Sequence, residues 1–296
     1  MIGREIPLLV NCMPAGEFLG EDFYRAGGVP AVMGELLRAG KLDPEPLTVS
    51  GLSIGDAVRE EVAIDRRVIR SYDQPLATDA GFLMLSGNLF DSALMKTSVI
   101  TPEFRNAYLS DPADPDALVA RAIIFEGPED YQLRINDPEL EIDRDCILVM
   151  RNVGPVRYPG SAEVVNMQPP DRLIREGVLS LPTLGDGRQS GTSASPSILH
   201  ASPEAAVGGG LALLRTGDRI RVDLGRKRVD LLASAEEIER RKRDRQTSQL
   251  VDETPWQEIY RRLVGCLSAG ACLELGLKYR DARGAQALAL GEPTRR

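Results

Sequence analysis

The sequence predicts a mixed α/β fold, and three features carry that expectation. In residues 1–70, a short apolar run from Ile6 to Val10 is followed by helical apolar spacing at Val32, Leu36 and Leu37. From about residue 76 the pattern shifts towards strands. RAIIF (121–125) and CILVM (146–150) are short continuous apolar runs, as in strands covered on both faces. Ile220, Val222 and Leu224 then alternate with polar and charged residues, and Val229, Leu231 and Ala233 do so after Gly225, which predicts a hairpin with one buried face.

The helix over Val29–Ala39 has Gly40 in place to end it, because glycine takes the left-handed conformation without a Cβ clash. Leu47 to Val49 reads as a further short strand, and SYDQP (71–75) as a linker, since proline and polar residues break the periodicity. Ser202, Pro203 and Glu204 offer an N-cap, a proline at the first helical position and an early acid. Ser234 with Glu237, and Thr254 with Gln257, form capping boxes; the last helix is predicted from Pro255 to about Ser268. The charged run EEIERRKRDR (236–245) reads as a solvated helix with i,i+4 pairs, Glu236 with Arg240 and Glu237 with Arg241, rather than as a nucleic-acid arm.

A chain of 296 residues with 43% hydrophobic content can bury one large domain or two unequal ones. Its 44 acidic against 36 basic residues argue against nucleic acid as a partner, because phosphate binding needs a net basic face. No apolar run reaches the length of a membrane span, and MIGREIPLLVN has no signal-type apolar core, so a cytoplasmic enzyme with no membrane partner is expected. Cys12, Cys146, Cys266 and Cys272 form no C-x-x-C pair, and His200 is the only imidazole. Both facts disfavour a zinc site of ordinary spacing, and the lone histidine also disfavours Ser-His-Asp hydrolysis. The cysteines read as neutral packing residues.

Two glycine-rich segments stand out. GPVRYPGSAE (154–163) follows the predicted strand 146–150, and GDGRQSGTS (185–193) combines glycines with hydroxyls, an acid and a guanidinium. Such loops can turn backbone N–H groups and hydroxyls towards an anionic ligand; composition alone allows tight surface turns equally well. Gly208, Gly209 and Gly210 lie in an apolar helical pattern and read as close packing of a helix against a strand, since no phosphate-loop spacing is present.

Six segments in unbroken order resemble the dihydroxy-acid/phosphogluconate dehydratase family: PLLVNCMPAGEFLGEDFYRAGGVPAV (7–32), GNLFDSALMKTS (87–98), AIIFEGPEDY (122–131), ILVMRNVGPVRYPGSAEVVNM (147–167), the long run from GDGRQSGTS to RIRVDL (185–224) and TPWQEIY (254–260). The pairing of GPVRYPGSAE with DGRQSGTS is specific, and the form of both is most similar to the sugar-acid branch, xylonate dehydratases among them. The resemblance implies a hydro-lyase that removes water from a 2,3-dihydroxy acid, giving a 2-keto-3-deoxy acid through an enol. It also implies a Mg²⁺ ion and an iron–sulfur cluster of the 2Fe–2S type. Matched residue by residue, Ser190 falls on the family's base and Glu163 on a Mg²⁺ carboxylate ligand, a hard oxygen donor of the kind Mg²⁺ prefers. Thr192 is a candidate for orienting substrate, and Lys96 and Arg188 for meeting its carboxylate, although structural ion pairs would use the same residues.

The chain departs from the family pattern at its start. Family members carry an N-terminal region with three cluster cysteines, an Asp ligand and a modified Lys ligand, and none of this chain's cysteines aligns with the cluster motifs. The expectation is therefore a fragment or half of a split enzyme, inactive alone, whose partners are the missing N-terminal half and a small sugar acid such as xylonate, forming a homo-oligomer when complete. In fold terms, residues 1–75 are expected to be a truncated remnant of the N-terminal α/β domain. Residues 76–296 are expected to form a β-barrel-like C-terminal domain of the swivelling β/β/α type with flanking helices. Two rival functions stand beside this: a dihydroxy-acid dehydratase of branched-chain amino-acid synthesis, and a non-catalytic partner-binding fragment.

Overall fold

A computed structural model describes residues 5–58, 64–160, 167–188, 190, 195–245 and 251–276. The chain divides into two compact units, one of Met1–Leu83, Lys96–Pro102 and Gly191–Pro196, the other of Met84–Met95, Glu103–Ser190 and Ser197–Arg296.

The first unit holds α1 (Gly20–Arg25), α2 (Gly28–Arg38) and α3 (Ile54–Ala57). Ala26, Ala31, Val68 and Ile69 form its core, with Phe18, Phe23 and Val32 packed against them. Gly40 takes the left-handed backbone, with φ 65°, just past the end of α2. The strands expected at Ile6–Val10 and Leu47–Val49 are only single bridges, Leu8 to Ala77, Val10 to Ile69 and Leu47 to Ser53. Pro7 and Pro46 lack the N–H that a longer ladder needs. Glu35 on α2 is a buried carboxylate held by Arg66 at 2.6 Å, by Arg38 and by the Tyr72 N–H at 3.3 Å. Burial pushes its pKa up, but the two guanidinium groups prevail and hold it below the usual range.

Eight strands form one sheet, all of it but Phe82, Leu83 and Lys96 in the second unit: β1 (Phe82–Leu85), β2 (Ser92–Lys96), β3 (Ala117–Phe125), β4 (Cys146–Met150), β5 (Thr183–Gly185), β6 (Ser197–Ser202), β7 (Arg219–Asp223) and β8 (Arg228–Leu231). Their order is β1-β2-β6-β5-β4-β3-β7-β8. The four central strands β6, β5, β4 and β3 are parallel, and β2 and β7 run against them. The edges nearly meet. Ser86, just past β1, bridges Arg228 on β8, donating to Lys227 O at 3.1 Å and accepting from Val229 N at 2.9 Å. The Asn88 side chain adds two bonds to Leu231, at 2.9 and 2.7 Å. Gly87 is required there, because a Cβ would lie 1.8 Å from Val229 O. The result is a nearly closed, barrel-like sheet, which leaves few unpaired edge groups.

Around it stand α4 (Pro102–Tyr108), α5 (Pro128–Arg134), α6 (Asp171–Arg175), α7 (Ala235–Asp244) and α8 (Pro255–Leu263). β4 is buried at every position, as its apolar run predicts. Its Cys146, Leu148 and Met150 pack with Ile123, Phe125, Leu173 and Leu181 in the main core. β7 and β8 form the expected hairpin, with Ile220 opposite Leu231 and Val222 opposite Val229. Ser234 and Thr254 cap α7 and α8 by accepting from Glu237 N at 3.2 Å and Gln257 N at 3.3 Å. On α7, Glu237 pairs with Arg241 at 2.7 Å, and Arg241 continues to Asp218 at 2.6 Å, which ties the charged helix to the barrel.

Two helical expectations are corrected. Ser202 ends β6, and two short 3₁₀ turns, Ala205–Val207 and Gly210–Leu213, replace the helix expected after Pro203. Gly208 sits in the left-handed region at φ 97°, which stops helical propagation. Gly209 presses on the backbone so closely that a Cβ would be 1.8 Å from Pro203 O. The last helix ends at Leu263, because Val264 leaves it to bridge Leu273. Among the described residues no helix is long and apolar enough to cross a membrane.

Candidate functional site

The loops that leave the carboxyl ends of β3, β4, β5 and β6 gather at one end of the parallel strands, the end at which open parallel sheets bind ligands. After β3, Glu126 accepts from Arg151 Nε at 2.9 Å and from the Asn152 side chain at 2.7 Å, so the exits of β3 and β4 are joined. Arg151 also donates to Leu211 O and Leu214 O at 2.9 and 3.0 Å.

Asp186 links three of these loops. It follows β5 directly and is fully buried. Its carboxylate accepts from Asn152 N at 3.2 Å, Val153 N at 3.0 Å and Ala205 N at 2.8 Å. The two glycine-rich loops are thus bonded to each other through one side chain, and the chain after β6 is bonded to both. Burial pushes the Asp186 carboxyl up, against the pull of the three amides.

Glu204, just past β6, makes a second such link. It is 4% exposed and accepts from Val156 N at 3.1 Å and Arg157 N at 2.9 Å. Burial pushes its pKa up to about 7, with the neighbouring Asp186 acting in the same direction. Gly154 makes room for it, since a Cβ there would lie 2.4 Å from Glu204 Oε2.

Ser190 lies on the loop after β5, four positions past Asp186, and is buried at 9% exposure. Arg188 on the same loop is exposed, and its charge adds to the effect of burial in holding the His200 pKa below the ordinary imidazole value. His200 N–H donates to Gly187 O at 2.9 Å, tying the loop to β6. Lys96, at the end of β2, is half-buried, and burial pushes its ammonium pKa down. Glu163 and Thr192 lie outside the described residues.

Asp186 and Glu204 were not singled out by sequence reasoning as site residues. The only local signal was an acid close behind a strand, Asp186 directly after β5 and between two glycines, Glu204 two positions past β6.

The described thiols do not fit an iron–sulfur cluster. Cys146 is in the barrel core, bonded to Asp143 Oδ1 at 3.0 Å, with burial pushing its pKa up to about 11, whereas a cluster ligand must be a thiolate. Cys12 is in the other unit, and Cys266 and Cys272 are exposed near the end of the described chain. Among the described residues no group of three or more His, Cys, Asp or Glu side chains is arranged to hold a metal.

Residues 67–271 match the family pattern described as dihydroxy-acid/6-phosphogluconate dehydratase C-terminal, and residues 1–57 match its N-terminal counterpart. The chain belongs to this dehydratase family. It is 56% identical to the D-xylonate dehydratase of Caulobacter vibrioides over 94% of its own length and 47% of that protein. It is 39% identical to the L-arabinonate dehydratase of Rhizobium leguminosarum bv. trifolii over 92% of its length and 45% of the relative. With the dihydroxy-acid dehydratase of Aquifex aeolicus it shares 30% identity over 92% of its length and 47% of that protein. The chain therefore spans about half the length of the curated relatives it matches, and the loops just described lie within the residues that match the C-terminal pattern.

Proposed function

We propose that the chain is the part of a sugar-acid hydro-lyase that supplies the base and one Mg²⁺ carboxylate, acting on an aldonic acid such as D-xylonate or a close relative. The observation that carries this is the difference in identity: 56% to a D-xylonate dehydratase against 30% to a dihydroxy-acid dehydratase, over nearly the same span of this chain. The same difference disfavours the branched-chain reading.

In the proposed reaction the substrate C2–H bond breaks and its proton passes to Ser190 Oγ. The 3-hydroxyl departs with the C–O electron pair and takes a proton from solvent to become water, Ser190 Oγ gives its proton back to solvent, and the resulting enol tautomerises to the 2-keto-3-deoxy acid. A serine serves as base only where nearby positive charge stabilises its alkoxide, the hydroxyl proton having passed to solvent. When bound, the family's Mg²⁺ and cluster supply that charge and Lewis acidity for the poor leaving group. Glu163 would hold the Mg²⁺, and no step is assigned to a cluster on this chain's thiols. On this reading the cluster cysteines come from the part of the relatives' length that the chain does not span, and the chain alone does not turn over.

The test is an assay for 2-keto-3-deoxy acid with D-xylonate, L-arabonate and a branched 2,3-dihydroxy acid. It uses this chain alone and with the N-terminal half of the Caulobacter relative supplied in trans. Turnover of an aldonate in the supplemented sample only is expected. Turnover confined to the branched acid would contradict the substrate class, and full turnover with iron bound to the chain alone would contradict the division of labour.

A further inference from the structure

The pairing of β6 with β2 is interrupted at one place. Ser92 lies opposite Ser202 and Leu94 opposite Leu199, so Ala93 alone faces two residues, His200 and Ala201. This is a β-bulge, and its first residue, His200, has φ 59°. Bulges of that kind ordinarily place glycine there, because a left-handed backbone brings a Cβ against the following carbonyl. The bulge changes which neighbour the backbone addresses. In a regular strand the polar groups of residues two apart point to the same side. Here His200 N–H donates to Gly187 O at 2.9 Å, in the loop leaving β5, whereas Ser202 O accepts from Asp91 N at 2.9 Å, beside β2. The register of β5 with β6 covers Thr183 with Ser197 and Leu184 with Ile198, so the bond to Gly187 lies beyond that ladder. A second hold is close by, since Asp186 accepts from Ala205 N at 2.8 Å. Ser190 follows Gly187 by three positions and is buried.

We propose that His200 is a positioning residue: its left-handed bulge turns the backbone N–H onto Gly187 O and so fixes the loop on which Ser190 lies. The latch stands on this geometry; its bearing on Ser190 as base rests on the dehydratase reading. Histidine is among the side chains that tolerate the left-handed region, whereas a β-branched residue there is an outlier. Valine favours a regular strand and glycine weakens one, but a left-handed position ranks the two in reverse. The order of substitutions at position 200 therefore separates a latch from an ordinary strand residue.

Hydrogen exchange on the full chain tests the latch without substrate or metal. Protection of the amide at position 200 should fall at least ~10-fold in His200→Val, while β4 amides stay within ~3-fold of the wild type, as for local opening. His200→Gly should stay within ~3-fold of the wild type at that amide and exceed His200→Ala, although both lack the imidazole. The comparison of Gly with Ala decides the matter even if His200→Val does not fold. Wild-type protection in His200→Val, or protection no higher in His200→Gly than in His200→Ala, would overturn the latch. In the supplemented enzyme, His200→Val should lower kcat on D-xylonate at least ~10-fold with KM within ~3-fold, and His200→Gly should recover kcat to within ~3-fold of the wild type. A raised KM with unchanged kcat, or a loss of kcat that His200→Gly shares in full, would overturn the positioning role. A wild-type sample with no turnover at all would instead count against the dehydratase reading, and the exchange result would then decide the latch on its own.

Discussion

Asp186 has no solvent contact, so backbone N–H groups do the work of water. A carboxylate offers acceptors on both oxygens, and the three donors approach from two separate loops. Asp186→Asn keeps the shape but places an NH₂ where an acceptor is needed. At least one amide is then left buried and unmet, at about 1–3 kcal/mol. Urea unfolding of the variant should show a loss of about that size, and an unchanged midpoint would mean that the three bonds do not matter to the fold. Glu204 gives a prediction in pH. Its folded pKa, about 7, lies above its ordinary value of 4.5, so the folded state binds the proton more tightly than the unfolded chain. Its contribution to stability is therefore complete below about pH 4.5, is lost as pH rises towards 7, and is level beyond that. The charged group facing it is Asp186, which opposes ionisation further. Glu204→Gln cannot ionise, so melting temperatures between pH 5 and 7.5 should fall less steeply than in the wild type; parallel curves would contradict the assignment. Neither acid was readable as a site residue from sequence, because the amides that define them lie 19 to 48 residues away.

The elements that sequence reading located are those whose burial matches a simple period. β4 is parallel to both neighbours and covered on both faces, hence a continuous apolar run. β7 and β8 have one covered face, hence alternation. β5, only three residues long, is too short for any period to show. β6, SILHAS, is buried at five of six positions despite its serines and histidine, because it lies between β2 and β5 in the middle of the sheet. Capping residues were legible at α7 and α8 because the cap bond is local. The same signal failed at Ser202, where Glu204 bonds to another loop and Gly208 and Gly209 stop the helix. If β4 is the axis of the core, Leu148→Ala should destabilise the protein by about 2–5 kcal/mol, the range for emptying a buried leucine site. The exposed Leu133→Ala on α5, at 83% exposure, should change stability by no more than about 0.5 kcal/mol. Equal effects in thermal unfolding would show that the core lies elsewhere.

At the scale of the whole molecule, a nearly closed eight-stranded sheet holds four parallel strand ends together, and two buried acids fasten the loops that leave them. Ser190 lies on one of those loops, and GPVRYPGSAE leads to Glu163 from the other. The family was legible in the sequence because each of these two motifs is a single continuous run of residues. The architecture that joins them was not, since it depends on Asp186 and Glu204 reaching across loops. The most direct test of the account is turnover by Ser190→Ala in the supplemented enzyme on D-xylonate, with Glu163→Gln beside it. Removal of a general base typically lowers rates about 10²–10⁴-fold. Ser190→Ala should lose kcat on that scale with KM little changed, and Glu163→Gln should instead raise the Mg²⁺ requirement. A Ser190→Ala enzyme that retains more than about half of wild-type kcat would show that another group takes the proton.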